Sequence, residues 1–153
     1  MKHIWTVLCQ KSTIDVDSNQ LSLFNCMEEL SIVIDKTEAV GKNLAIPIEF
    51  QLVSYFTADD TSLAHLINLR IEIMDPSGKA LNVFENSHQI KQGVARFRSR
   101  ANISGMPVTD SGRYFFKIFQ KTDSAGEFEL ISELPLDVKL SYKIMDGVNI
   151  AKK

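Results

Sequence analysis

The stretch Asp110-Ser111-Gly112-Arg113-Tyr114-Phe115-Phe116-Lys117-Ile118-Phe119 begins as a turn and continues as a strand. Asp, Ser and Gly open it, and all three suit tight backbone bends. From Gly112 onward a period of two sets Tyr114, Phe116 and Ile118 on one face. Arg113, Phe115, Lys117 and Phe119 fall on the other. The first face is apolar enough for a core. The second mixes two rings with two cations, which predicts a covered surface or a protein interface.

The same alternation recurs in both directions along the chain. Leu134, Leu136, Val138, Leu140, Tyr142 and Ile144 alternate with Asp137, Lys139, Ser141 and Lys143, a half-buried strand. Leu44, Ile46, Ile48, Phe50 and Leu52 make another, with Pro47 requiring an edge or a bulge because it lacks an N–H. Leu69, Ile71 and Ile73 run into Asp75-Pro76-Ser77-Gly78-Lys79, a hairpin turn by its proline and glycine placement, and Leu81 and Val83 begin the return. Val94 to Asn102 is a strand whose inner face is Ala95, Phe97, Ser99 and Ala101. His3 to Gln10 is apolar on both faces, so it is central or its second face is covered. Leu21 to Phe24 and Leu30 to Ile34 are two more runs, and Ser124-Ala125-Gly126 reads as a hairpin turn. Thr57 to Leu66 holds a helical turn in this reading, with Asp59 or Asp60 as cap. Eight to ten short strands without βαβ spacing predict an all-β, antiparallel two-sheet sandwich, immunoglobulin-like or of related Greek-key topology. One domain is expected over 1–145, with a loose tail at 146–153.

Asp110, Gly112 and Tyr114 resemble the Asp-x-Gly-x-Tyr-x-Cys run of immunoglobulin domains. That resemblance implies a tyrosine whose hydroxyl bonds back to the preceding turn. Phe116 stands where that family has cysteine, so a packed ring replaces the inter-sheet disulfide. Over roughly residues 1–140 the chain also resembles an uncharacterised family of small bacterial all-β proteins. The resemblance rests on Leu21-Ser22-Leu23-Phe24, Asp75-Pro76-Ser77-Gly78 and the Gly112–Phe116 strand. It implies structure and carries no catalytic residue.

At 153 residues the chain buries about two-thirds of its extended surface, enough for a core without metal or staples. Its net charge of −2 supplies no global field toward a phosphate backbone. The opening residues lack the apolar core of a secretory signal, and no apolar run reaches membrane-helix length. Cytoplasmic residence is the expectation. Cys9 and Cys26 are the two cysteines, and their midpoint falls at Asp17-Ser18 in the first turn. A symmetric hairpin sets those thiols opposite one another, and reduced thiols are the expectation in that compartment.

Few residues carry chemistry. Asp15, Asp17 and Asn19 have calcium-loop spacing, but Gln20 and Cys26 stand where that loop needs Gly and Glu. An ordinary acidic turn is the reading. His3, His65 and His88 are scattered and form no ligand pair, so no metal and no cofactor are expected. Neither a nucleophile elbow nor a phosphate loop is present. Arg96, Arg98 and Arg100 form a row of cations on one strand face. The reading that results is a non-catalytic β-sandwich that binds a protein or its own copy as a homodimer. Phe115 and Phe119 would anchor the contact, and Arg96, Arg98 and Arg100 would match charge. A small enzyme or ligand carrier with an inter-sheet or loop-rim pocket is one alternative. Single-stranded nucleic-acid binding through the arginine face is another, and it needs exposed rings on that face.

Overall fold

Alternating sequence produces alternating burial along nearly every strand. The computed structural model describes residues 1–35, 44–122 and 126–143. Its strands are β1 (Lys2–Ile14), β2 (Leu21–Cys26), β3 (Glu29–Asp35), β4 (Leu44–Thr57), β5 (His65–Met74), β6 (Ala80–Ile90), β7 (Arg96–Val108), β8 (Gly112–Lys121) and β9 (Glu129–Lys143). They form a four-stranded sheet, β2-β1-β4-β7, and a five-stranded sheet, β3-β9-β8-β5-β6. The result is an immunoglobulin-like, Greek-key β-sandwich. One ladder departs from the antiparallel expectation: the edge strand β3 runs parallel to β9.

The main core lies between the sheets. Phe50 and Leu52 on β4 face Ile71, Ile73, Phe116 and Leu136 across it. Phe116 meets Phe50 edge-on, with ring centroids 5.7 Å apart and planes at 85°. A ring contact between the sheets thus stands where a disulfide would. Tyr114 is fully buried, and its hydroxyl donates to the Asp110 carbonyl at 2.8 Å. The same oxygen accepts the Thr109 N–H at 2.9 Å. The tyrosine closes its own turn, as the motif implied.

Two motifs meet at Gly112. Its φ is +149°, and a Cβ placed there would come within 2.9 Å of the Pro76 ring in the β5–β6 turn. That turn is organised by Asp75, whose Oδ1 accepts from the Ser77 N–H, the Ser77 hydroxyl and the Lys79 N–H. These bonds hold the Asp75 carboxyl below the usual carboxylate range, with the Ser77 hydroxyl contributing most.

Several expectations change. No helical turn forms at residues 57–66. β4 runs on to Thr57, β5 starts at His65, and the Asp60 carboxylate accepts the Ser62 N–H in the loop between them. Ala95 lies before β7 and is exposed, so it is no core residue. Tyr142 is exposed because β9 has outrun the core there. Pro47 does sit in a bulge, between Ile46 and Glu49, on an internal strand. Ile144, the tail at 146–153 and most of the Ser124-Ala125-Gly126 turn lie outside the described residues.

Candidate functional site

Phe115 and Phe119 project from β8 on the outer face of the five-stranded sheet, both half-buried. A bulge between Ile118 and Phe119 is absorbed by β9, so both rings stay outward. Their cross-strand neighbours form rows. Pro135, Phe115, Met74 and Ala80 line up as one apolar row across four strands. Beside it, Arg113 grips Asp137 with two nitrogens, at 2.8 and 3.0 Å. On its other side Lys117 pairs with Glu133 at 3.4 Å. One row further, Phe119 lies between Leu130 and Arg70. Arg70 bonds Glu85 at 2.7 Å and stacks over the Phe128 ring at 4.0 Å. The face therefore alternates apolar and mixed-charge rows.

The arginine row occupies the opposite side of the sandwich. Arg96, Arg98 and Arg100 point outward from β7, an edge of the four-stranded sheet. One flat contact cannot include them together with Phe115 and Phe119. Among the described residues Arg96 and Arg100 make no ion pair, and both are exposed. Arg98 is half-buried and donates to the Asn19 side chain at 2.8 Å and to its carbonyl at 3.1 Å. Asn19 belongs to the β1–β2 turn and has φ +54°. The hairpin therefore reaches across the outside of the sheet to its far edge. That cover explains why Val53 and Cys9, on the outer face, have no exposed surface. β1 is thus both central and covered.

Sequence reasoning missed the rings on this face. Trp5 pairs with Tyr55, and Tyr55 pairs with Arg98, across three adjacent strands. Trp5 and Tyr55 stack at 5.5 Å with planes 29° apart. Outward alternation on β1 and β4 was the available signal.

The concave sites differ in character, one polar and one largely apolar. A cleft of about 680 Å³ lies between the root of the hairpin and strands β4 and β7. Its amides bond one another: Asn25 donates to Gln10 at 2.7 Å, and Gln51 donates to Asn102 at 2.8 Å. A hollow of about 430 Å³ is lined by Leu8, Cys26, Met27, Arg113 and Leu134. His3 bonds Thr6 at 2.7 Å, and Thr6 bonds Ser54 at 2.9 Å. Burial pushes the imidazoles of His3 and His88 below their ordinary range. His65 bonds the Asp60 carbonyl. No metal-ligating cluster occurs among the described residues. The Asp15 carboxylate accepts from the Ser18 N–H and hydroxyl, the ordinary turn expected there. No helix among the described residues is long and apolar enough to cross a membrane.

Cys9 and Cys26 are direct cross-strand partners, and both are free thiols. Cys9 is buried and Cys26 exposed. Burial pushes the Cys9 thiol up, and Cys26 beside it adds to the shift.

No family model matches the chain, and no curated protein matches it. The resemblance to a family of small bacterial proteins finds no support there. Among solved structures, the chain is similar to the apo form of the Calx CBD1 domain. That likeness has 12% identity and a TM-score of 0.35, over 72% of this chain and 92% of that one. It is also similar to the calcium binding domain CBD12 of CALX1.1, with 12% identity and a TM-score of 0.38. That match covers 74% of this chain and 42% of the other, so this chain spans less than half its length. These likenesses concern the fold alone, and the calcium in the second name is that protein's.

Proposed function

We propose that this chain is a non-catalytic recognition domain that pairs with a second copy of itself through the outer face of the five-stranded sheet. The apolar row Pro135–Phe115–Met74–Ala80, set between mixed-charge rows, carries the reading. A two-fold axis through that row lays ring against ring. It also sets each mixed-charge row over another, so the surface complements itself. The two free thiols fit a reducing compartment and support residence in the cytoplasm. Light scattering after size exclusion tests the contact. The wild type should elute as a dimer. Phe115→Ser/Phe119→Ser should dissociate at least about tenfold more readily, the result of losing about 1.4 kcal/mol or more, with an unchanged circular dichroism spectrum. A monomeric wild type at every accessible concentration overturns self-association.

A second reading is favoured by Trp5 and Tyr55 lying on the arginine face. Rings beside a row of cations are what single-stranded nucleic acid needs. Trp5 is the one tryptophan, so its fluorescence reports on that face. Titration with a single-stranded oligonucleotide at low salt should change it. The log–log salt slope should be about −2 if three arginines reach phosphates. Arg96→Ala/Arg100→Ala should abolish most of the change. A signal insensitive to salt and to those substitutions removes this reading.

A further inference from the structure

We propose that Cys9 and Cys26 form a dithiol site that reacts with low-molecular-weight disulfides, closing a reversible cross-strand bond at the root of the β1–β2 hairpin. The two residues face each other in the ladder. Opposed residues in an antiparallel pair have Cα atoms about 4.5–5.5 Å apart and carry their side chains on one face. A disulfide accepts Cα separations of about 4.4–6.8 Å, so the bond forms without moving the strands apart. Burial raises the Cys9 thiol above its ordinary range, and Cys26 beside it adds to the shift.

Their unequal exposure assigns the order of events. Cys26 is exposed and borders the 430 Å³ hollow, where a small disulfide can reach it. Cys9 has no exposed surface, so it meets no external reagent. The Cys26 thiolate attacks one sulfur of the small disulfide, and the other leaves as a thiolate. Cys9 then gives up its proton, and its thiolate attacks the Cys26 Sγ, expelling the second small thiol. The protein loses two hydrogens. The small disulfide gains two electrons and two protons and leaves as two thiols. The bond returns to thiols by the same exchange in reverse, with a small thiolate attacking the Cys26 Sγ and Cys9 leaving as thiolate. Its effect is mechanical. It fastens β2, an edge strand, to β1 just where the hairpin departs to cover Val53 and reach Arg98.

The test equilibrates the folded protein with mixtures of oxidised and reduced glutathione and reads the intact mass after acid quenching. The wild type should lose two hydrogen masses with no glutathione attached, and regain them as the reduced form is raised. Cys9→Ala should stop at a stable glutathione adduct on Cys26. Cys26→Ser, changed at an exposed position, should remain unmodified. A wild type that accumulates the Cys26 adduct while Cys9 stays a thiol overturns the proposal. So does a wild type that stays unmodified, or one that forms only disulfide-linked dimers.

Discussion

Phe116→Ala should lower stability by about 3–5 kcal/mol, the range for deleting a fully buried aromatic ring. Phe116 has no exposed surface, and Phe50 reaches it from the opposite sheet. Removing the ring leaves a void between two sheets. Neither backbone can close over it without breaking its ladder, so the cavity persists. For a chain of this size the melting temperature should fall by about 6–20 °C. Thermal and urea unfolding, followed by near- and far-ultraviolet circular dichroism, measure this. A loss below about 1 kcal/mol would mean that the sheets collapse onto each other, and the ring would not be their main tie.

Gly112→Ala should cost about 2–4 kcal/mol through overpacking and backbone strain together. The new methyl would meet the Pro76 ring at 2.9 Å while held at a φ of +149°. Pro76→Gly removes the steric partner and leaves the strain. The double variant should therefore be more stable than the sum of the singles predicts, by about 1 kcal/mol. Strict additivity in urea unfolding would sink the close approach. The glycine of the Asp-x-Gly-x-Tyr run is thus explained by a contact with a second motif 36 positions upstream, read from their numbers.

That contact illustrates what a sequence reveals here. Turn residues and period-two alternation act over a few neighbours, so Asp75, Gly78, Tyr114 and the faces of β8 were legible. The bulge at Pro47 was legible for the same reason. The side of the sandwich to which a strand belongs depends on pairing between distant segments. Phe115 and Arg98 could be called outward, but their opposite faces could not be known. Alternation sets Val53 on the more polar face of its strand with Glu49 and Gln51, whereas the two apolar faces around Cys9 already called for a cover, which the hairpin supplies to both. The helical turn expected at residues 57–66 does not form: residues 58–64 cross from the end of β4 to the start of β5 as bends and irregular backbone, and Asp60 closes a local turn on Ser62 in place of the expected helix cap.

The parallel ladder between β3 and β9 has a consequence in time. β3 spans Glu29–Asp35 and its hydrogen-bonding partner begins at Glu129. As the chain is made from its N-terminus, β1, β2 and β4 can join while β3 still has no strand to join. Leu30 and Ile32, which pack on the core in the finished protein, wait in water until β9 emerges. Closing a loop of that length is slow, and its contacts come last. The edge strand written early in the sequence is therefore among the last to be laid down in the fold.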